Sequence, residues 1–149
     1  MSEIRIRNMI AADIDAVVEV ERQSFQTPWS RQAFESEILD NDLAHYLVVD
    51  DAGRVAGYAG MWLILDEAHV TNIAILPGYR SLGLGRRLLQ VLIDYAKTQG
   101  AKSMTLEVRK SNAPAQNLYR ELGFVSRGVR PGYYTDTQED AIIMWKDAL

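Results

Sequence analysis

The chain has 149 residues, 48% of them hydrophobic and 24% charged, and its 16 basic and 20 acidic side chains leave a net charge of −4. That size and balance predict one globular domain over residues 1–149 and argue against disorder, collagen-like repeats and a strongly electropositive nucleic-acid binder. With no cysteine there is no disulfide, no thiol nucleophile and no thiolate-held zinc, and the two histidines, His45 and His69, are too few for a histidine-rich metal centre, so no metal is expected.

The first seven residues alternate polar and apolar side chains without a signal-peptide core, and no window approaches the roughly 18 uncharged apolar residues of a membrane span. A cytoplasmic protein that touches neither membrane nor nucleic acid directly is therefore expected. Residues 4–7 read as a short strand. Ile14, Val17, Val18 and Glu21 fall at helical spacing behind the acidic start at Asp13. Thr27-Pro28-Trp29-Ser30 breaks this helix, and Ser30 is a suitable N-cap for a second one reaching about Leu39. Residues 46–50 and 55–65 read as strands of a hairpin turned at Asp51-Ala52-Gly53-Arg54, and residues 70–76 as a further strand ended by Pro77-Gly78.

An amphipathic helix follows, with Leu84, Leu88, Leu92, Tyr95 and Ala96 on one side and Gly100 at its end. Residues 104–109 read as a strand and 113–122 as a short helix closed by Gly123; Pro114 suits its first turn. Residues 124–127 and 139–145 are predicted strands separated by a loop around Pro131-Gly132-Tyr133-Tyr134. The order predicts a mixed α/β or α+β fold.

The most informative local feature is Arg80-Ser81-Leu82-Gly83-Leu84-Gly85 between a strand and a helix. Two glycines let backbone amides approach an anion, and the helix behind them adds unpaired N–H groups and the positive end of its dipole. Arg80, Arg86 and Arg87 add charge at the same turn, so a phosphate or pyrophosphate is a natural guest. The P-loop pattern is absent, and no third glycine stands in dinucleotide-fold register. On spacing alone, a glycine-rich turn without a ligand remains the alternative.

Here the chain resembles the GCN-five-related N-acetyltransferases (GNAT), in which an Arg-x-x-Gly-x-Gly loop holds the pyrophosphate of acetyl-CoA. The order of elements matches that fold along essentially the whole chain. Pro28-Trp29-Ser30, Asn72-Ile73-Ala74-Ile75, Leu106-Glu107-Val108-Arg109-Lys110-Ser111-Asn112, Ala115-x-x-Leu118-Tyr119-x-x-Leu122-Gly123-Phe124 and Tyr133-Tyr134 narrow the likeness to the RimI-like branch. Members of that branch acetylate the N-terminal alanine of the small-subunit ribosomal protein numbered eighteen. The resemblance implies a central mixed, mostly antiparallel sheet of six to seven strands flanked by about four helices. It implies Glu107 as general base and Tyr119 as general acid. Backbone contacts from Ile73, Ala74 and Ile75 would hold the pantetheine arm of acetyl-CoA. The loop of Arg80, Ser81, Leu82, Gly83, Leu84, Gly85 and Arg86 would hold the pyrophosphate, with Asn112 as a further contact. Trp29, Tyr133 and Tyr134 are candidates for the acceptor groove. The implied partner is the N-terminal peptide of a ribosomal protein, with a component of the translation or tRNA-modification machinery as a further candidate.

Acetyl transfer from a thioester to an amine suits these residue types. A carboxylate takes the amine proton, directly or through water, and a phenol donates to the departing thiolate. Direct attack needs no protein nucleophile. An α-amine, with a pKa of about 7.7–8.0, is roughly 10–15% neutral at pH 7, against about 0.04% for a lysine, which makes an N-terminal acceptor chemically easy. The same residue pattern accommodates a GNAT enzyme acting on lysine or a small-molecule amine, and a CoA-binding adaptor without turnover. For Glu107 the plain structural alternative is a strand carboxylate paired with Arg109 or a cross-strand cation; for Tyr119 it is helix packing.

Overall fold

The computed structural model describes residues 3–25 and 27–149; Met1 and Ser2, where the reading of the N-terminus begins, lie outside them. Seven strands, β1 (Ile4–Asn8), β2 (Ala44–Asp51), β3 (Arg54–Ile64), β4 (Glu67–Ile75), β5 (Ser103–Arg109), β6 (Val125–Tyr134) and β7 (Glu139–Lys146), form one sheet in the order β1-β2-β3-β4-β5-β7-β6. Every pairing is antiparallel except β4 with β5. The helices are α1 (Ile14–Ser24), α2 (Arg31–Glu35), α3 (Leu84–Thr98) and α4 (Ala113–Glu121). Among the described residues no helix is long and apolar enough to cross a membrane.

Both faces of the sheet are covered, which explains the unbroken burial of residues 46–50 in β2. Leu47 and Val49 belong to a cluster built with Leu88, Leu89 and Leu92 of α3 and with Leu106, Val108 and Phe124. Tyr46 and Val48 belong to a second cluster with Ile14 and Val17 of α1, Phe34 of α2, Tyr58 and Ala74. The apolar stripe of α3 falls on Leu84, Leu88, Leu92 and Ala96 as its spacing predicts, with Leu89 and Ile93 also buried. Tyr95, expected on that stripe, is half-buried and stacks on His45 at 3.8 Å.

Two segments depart from the sequence reading. The expected loop around Pro131-Gly132-Tyr133-Tyr134 is instead the end of β6, which pairs as far as Tyr134 with Glu139 and shifts register between Arg130 and Tyr134. An edge strand can accommodate a proline at such an irregularity, because the missing N–H breaks no internal ladder. The helix begun at Ser30, whose hydroxyl accepts from the Ala33 amide at 3.1 Å, passes into a π-turn over Ser36–Asp40. There Glu37 turns inward as an acceptor for the Trp62 indole and the Tyr46 hydroxyl.

The sheet's defining irregularity lies in β4. Gly60 pairs with Asn72 and Met61 with Val70, so Thr71 is an extra residue on the β4 side. The Tyr46 ring lies across β3 there, and a Cβ on Gly60 would come within 2.1 Å of it. Tyr46 donates to Glu37 at 2.8 Å and contacts the Thr71 hydroxyl at 2.9 Å, so the bulge is tied to both neighbouring elements. Gly60→Ala is expected to lower unfolding stability by about 2 kcal/mol through this overpacking, read from urea denaturation.

Candidate active site

β4 and β5 pair only over Glu67–His69 and Ser103–Thr105. Beyond the Thr71 bulge the strands diverge: β4 stays with β3 to Ile75, and β5 stays with β7 to Arg109. Two strand edges therefore face one another across a wedge with their backbone groups unpaired, which is costly unless water or a ligand meets them. A cavity of about 330 Å³ occupies the wedge. Residues 70–73 of β4 form one wall and residues 106–109 of β5 the other, with Tyr119 of α4 and Tyr133 and Tyr134 of β6 closing it. Phe25, Thr27 and Trp29, from the connection after α1, complete the rim.

A second cavity of about 240 Å³ continues along β4, from Ile75 through Arg80, Ser81, Gly83, Leu84, Gly85 and Arg86 to Leu118 of α4. Ile73 lines the first cavity and Ile75 the second; Leu118 and Tyr119 divide between them in the same way. The glycine turn is shaped for an anion. Ser81 and Gly83 both take positive φ, at 66° and 76°. The first helical bond of α3 runs from the Arg87 amide to the Gly83 carbonyl at 3.1 Å, so the amides of residues 83–86 have no acceptor within the helix, and no side chain caps them. Arg80 folds back onto the Ile75 carbonyl at 3.0 Å, and Arg86 reaches Glu121 at 2.9 Å.

Glu107 sits in the first cavity between the buried Leu106 and Val108, as strand alternation predicts. Its carboxylate lies 3.4 Å from the Arg130 guanidinium, so its cross-strand cation comes from β6 and not from Arg109. Tyr119 is buried, its hydroxyl has no hydrogen-bond partner among the described residues, and desolvation pushes the phenol up to about 12. Burial likewise pushes Tyr134 to about 12, with the Arg109 guanidinium 4.0 Å above its ring.

Other expected residues fall differently. Ala74 points into the opposite core and Leu82 is exposed, so neither side chain lines a cavity. Asn112 lines the wedge, but its side-chain oxygen caps α4 by accepting from Ala115 at 3.2 Å. Trp29 lines the wedge and packs on Phe34 at 5.3 Å, and its amide donates to Glu21. Two further contributors carry no motif of their own. Glu21 reaches the wedge from α1; its place among apolar residues at helical spacing was the available signal. Arg109 gathers Asp136, Thr137 and Glu139 around the β6–β7 turn, contacts that no local pattern announces. Among the described residues no cluster of three or more His, Asp or Glu is arranged to hold a metal ion.

The wedge thus carries a carboxylate and a phenol on its walls, and the cavity that follows it along β4 ends at an uncapped helix start. The model of the acetyltransferase (GNAT) family matches residues 14–124, and the chain belongs to that family. It is an acetyl-CoA-dependent N-acetyltransferase. A protein of Bacillus subtilis (strain 168) is 48% identical over 140 residues, covering 94% of this chain and 93% of its own. The [ribosomal protein bS18]-alanine N-acetyltransferase of Escherichia coli (strain K12) is 40% identical over 141 residues, 93% of this chain and 94% of its own. The crystal structure of the ribosomal-protein-S18-alanine N-acetyltransferase from Escherichia coli superposes with a TM-score of 0.89 at 37% identity, covering 98% of this chain and 95% of that one.

The Asp136 and Glu139 carboxyls lie below their ordinary range, Asp136 chiefly through the hydrogen bond from Arg109, and Glu139 chiefly through hydrogen bonds from Ser111 with Arg109 adding to them. A depressed carboxyl stabilises the fold above its unfolded pKa, about 4, and that stability is lost as pH falls through the folded value. Arg109→Met is expected to speed amide exchange in the 135–138 turn by about tenfold at neutral pH, and wild type to show the same loosening on acidification below about pH 4.

Proposed function

We propose that this enzyme transfers the acetyl group of acetyl-CoA to the N-terminal alanine of ribosomal protein bS18, in the cytoplasm, by direct attack of the α-amine. The observation that carries the reading is the wedge: Glu107 and Tyr119 face one cavity, and the glycine turn continues it along the same strand. Identity of 40% to the Escherichia coli enzyme over nearly the whole chain supports the choice of acceptor.

Acetyl-CoA supplies the activated thioester. In this reading the amides of residues 83–86, with Arg80 and Arg86, hold its pyrophosphate, and the wedge-facing edge of Ile73, Ala74 and Ile75 bonds the pantetheine amides, Arg80 leaving the Ile75 carbonyl for the phosphate. Ala74 takes part through its backbone only, since its side chain lies on the other face. A strand amide at that edge also donates to the thioester oxygen as negative charge develops there. Asn112 adds a contact beside its capping role. Glu107 accepts the proton of the attacking amine, directly or through water, and Arg130 orients the carboxylate. The Tyr119 hydroxyl donates to the sulfur as the thiolate leaves; burial keeps that hydroxyl protonated throughout the working pH range. Trp29, Tyr133 and Tyr134 flank the acceptor chain, whose α-amine enters between them.

The deciding assay is mass spectrometry of a peptide copying the bS18 N-terminus, beside the same peptide with its α-amine blocked and its lysines free. Acetylation of the open peptide alone is expected; acetylation of the blocked one would move the acceptor to lysine. Glu107→Gln should lower kcat by about 10²-fold or more at neutral pH, and Tyr119→Phe by about tenfold or more, with acetyl-CoA affinity unchanged in both. With the phenol near 12, kcat should show no alkaline decline between about pH 8 and pH 10. Gly83→Ala, strained at a φ of 76°, should weaken acetyl-CoA binding about fivefold in calorimetry and leave the peptide KM unchanged.

A further inference from the structure

Glu21 is 1% exposed, yet no cation pairs with it among the described residues. A buried carboxylate without a counter-charge is costly, and an apolar side chain would serve the core between α1 and the sheet at less expense. The carboxylate is instead held by three neutral donors from three elements. The Trp29 backbone amide donates to Oε1 at 3.1 Å. The Asn72 side chain on β4 donates to both oxygens at 3.2 and 3.3 Å. The Tyr58 hydroxyl on β3 donates to Oε2.

The backbone of the same residue closes the other end of the connection. The Phe25 amide donates to the Glu21 carbonyl at 3.0 Å, ending α1. Phe25 and Trp29, both at the rim of the wedge, thus return to Glu21. Asn72, which Glu21 also holds, stands beside the Thr71 bulge and lines the same cavity. One side chain therefore fixes both the rim and the β4 wall at the mouth opposite Glu107.

We propose that Glu21 is a positioning residue for the acceptor: by tying the Trp29 backbone and the Asn72 side chain to one point, it sets the wall along which the acceptor's first residues lie. The proposal rests on the reading of the wedge as the acceptor site. Glu21 acts through the residues it holds and transfers no proton. Its loss should loosen acceptor binding and leave the cofactor end, along Ile75 and residues 80–86, as it was.

The test is steady-state kinetics of Glu21→Gln, with the bS18 peptide varied at saturating acetyl-CoA and then the reverse, beside amide exchange at Trp29. The peptide KM should rise about tenfold, kcat should stay within about threefold, the acetyl-CoA KM should not move, and exchange at Trp29 should quicken. A purely structural role would lower thermal stability and depress all kinetic constants together, which would overturn the proposal. So would an unchanged peptide KM in a variant whose wild-type parent turns the peptide over normally. If wild type acetylates no N-terminal peptide, the acceptor reading fails and this proposal fails with it. Should Glu21→Gln not fold, Asn72→Ala carries the test. It should raise the peptide KM severalfold, and an unchanged KM there overturns the proposal. Where both fold, the double variant should be no worse than Glu21→Gln alone, because Asn72 acts through the same point.

Discussion

One extra residue in one strand governs the rest of this molecule. With Thr71 bulged out of the β3–β4 ladder, β4 cannot remain in register with both neighbours, and it keeps β3. β5 keeps β7, and the parallel pair parts after three residues. The parting leaves hydrogen-bonding groups exposed in the middle of a seven-stranded sheet, where regular pairing would have satisfied them. That local sacrifice is supported on both sides. Gly60 leaves room for the Tyr46 ring, Glu37 gathers Tyr46 and Trp62, and Glu21 gathers Tyr58 and Asn72. Two buried carboxylates flank the bulge, and both are held by neutral donors.

The electrostatics of the site divide along the wedge. Toward the glycine turn, unpaired amides and arginines favour anions. Toward the tyrosines the charges are mutually paired: Glu107 with Arg130, and Arg109 with Asp136 and Glu139, while Glu21 is buried among neutral donors. Tyr119, buried beside Leu118 of the second cavity, is kept neutral by its surroundings.

The two overhanging segments are fixed by different devices. The connection after α1 is held from inside, by a carboxylate in the core. The β6–β7 turn is held from its flank by Arg109, whose planar fork reaches Asp136, Thr137 and Glu139 while its face covers Tyr134. Both devices anchor to strands of the wedge itself, so each rim is tied to a wall.

Local pattern in the chain was enough for the order of strands and helices, the apolar stripe of α3, the Ser30 cap and the glycine turn. Each depends on residues a few positions apart and on the fixed periods of helix and strand. Glu107 was readable as outward-facing on its strand by the same alternation. Tertiary structure alone decided what met it: Arg130 lies 23 residues away, and no spacing rule connects them. The bulge at Thr71 has no local signature, because Val70-Thr71-Asn72-Ile73 reads as an unbroken strand, and only pairing with β3 shows one residue too many. The end of β6 differs from its local pattern for the complementary reason, since Pro131 and Gly132 are turn residues locally but are tolerated on a sheet edge. Glu21 stood in plain view on the apolar face of α1. Its meaning needed Tyr58 and Asn72, 37 and 51 residues further on, because a buried carboxylate is explained by its donors and those are chosen by the fold.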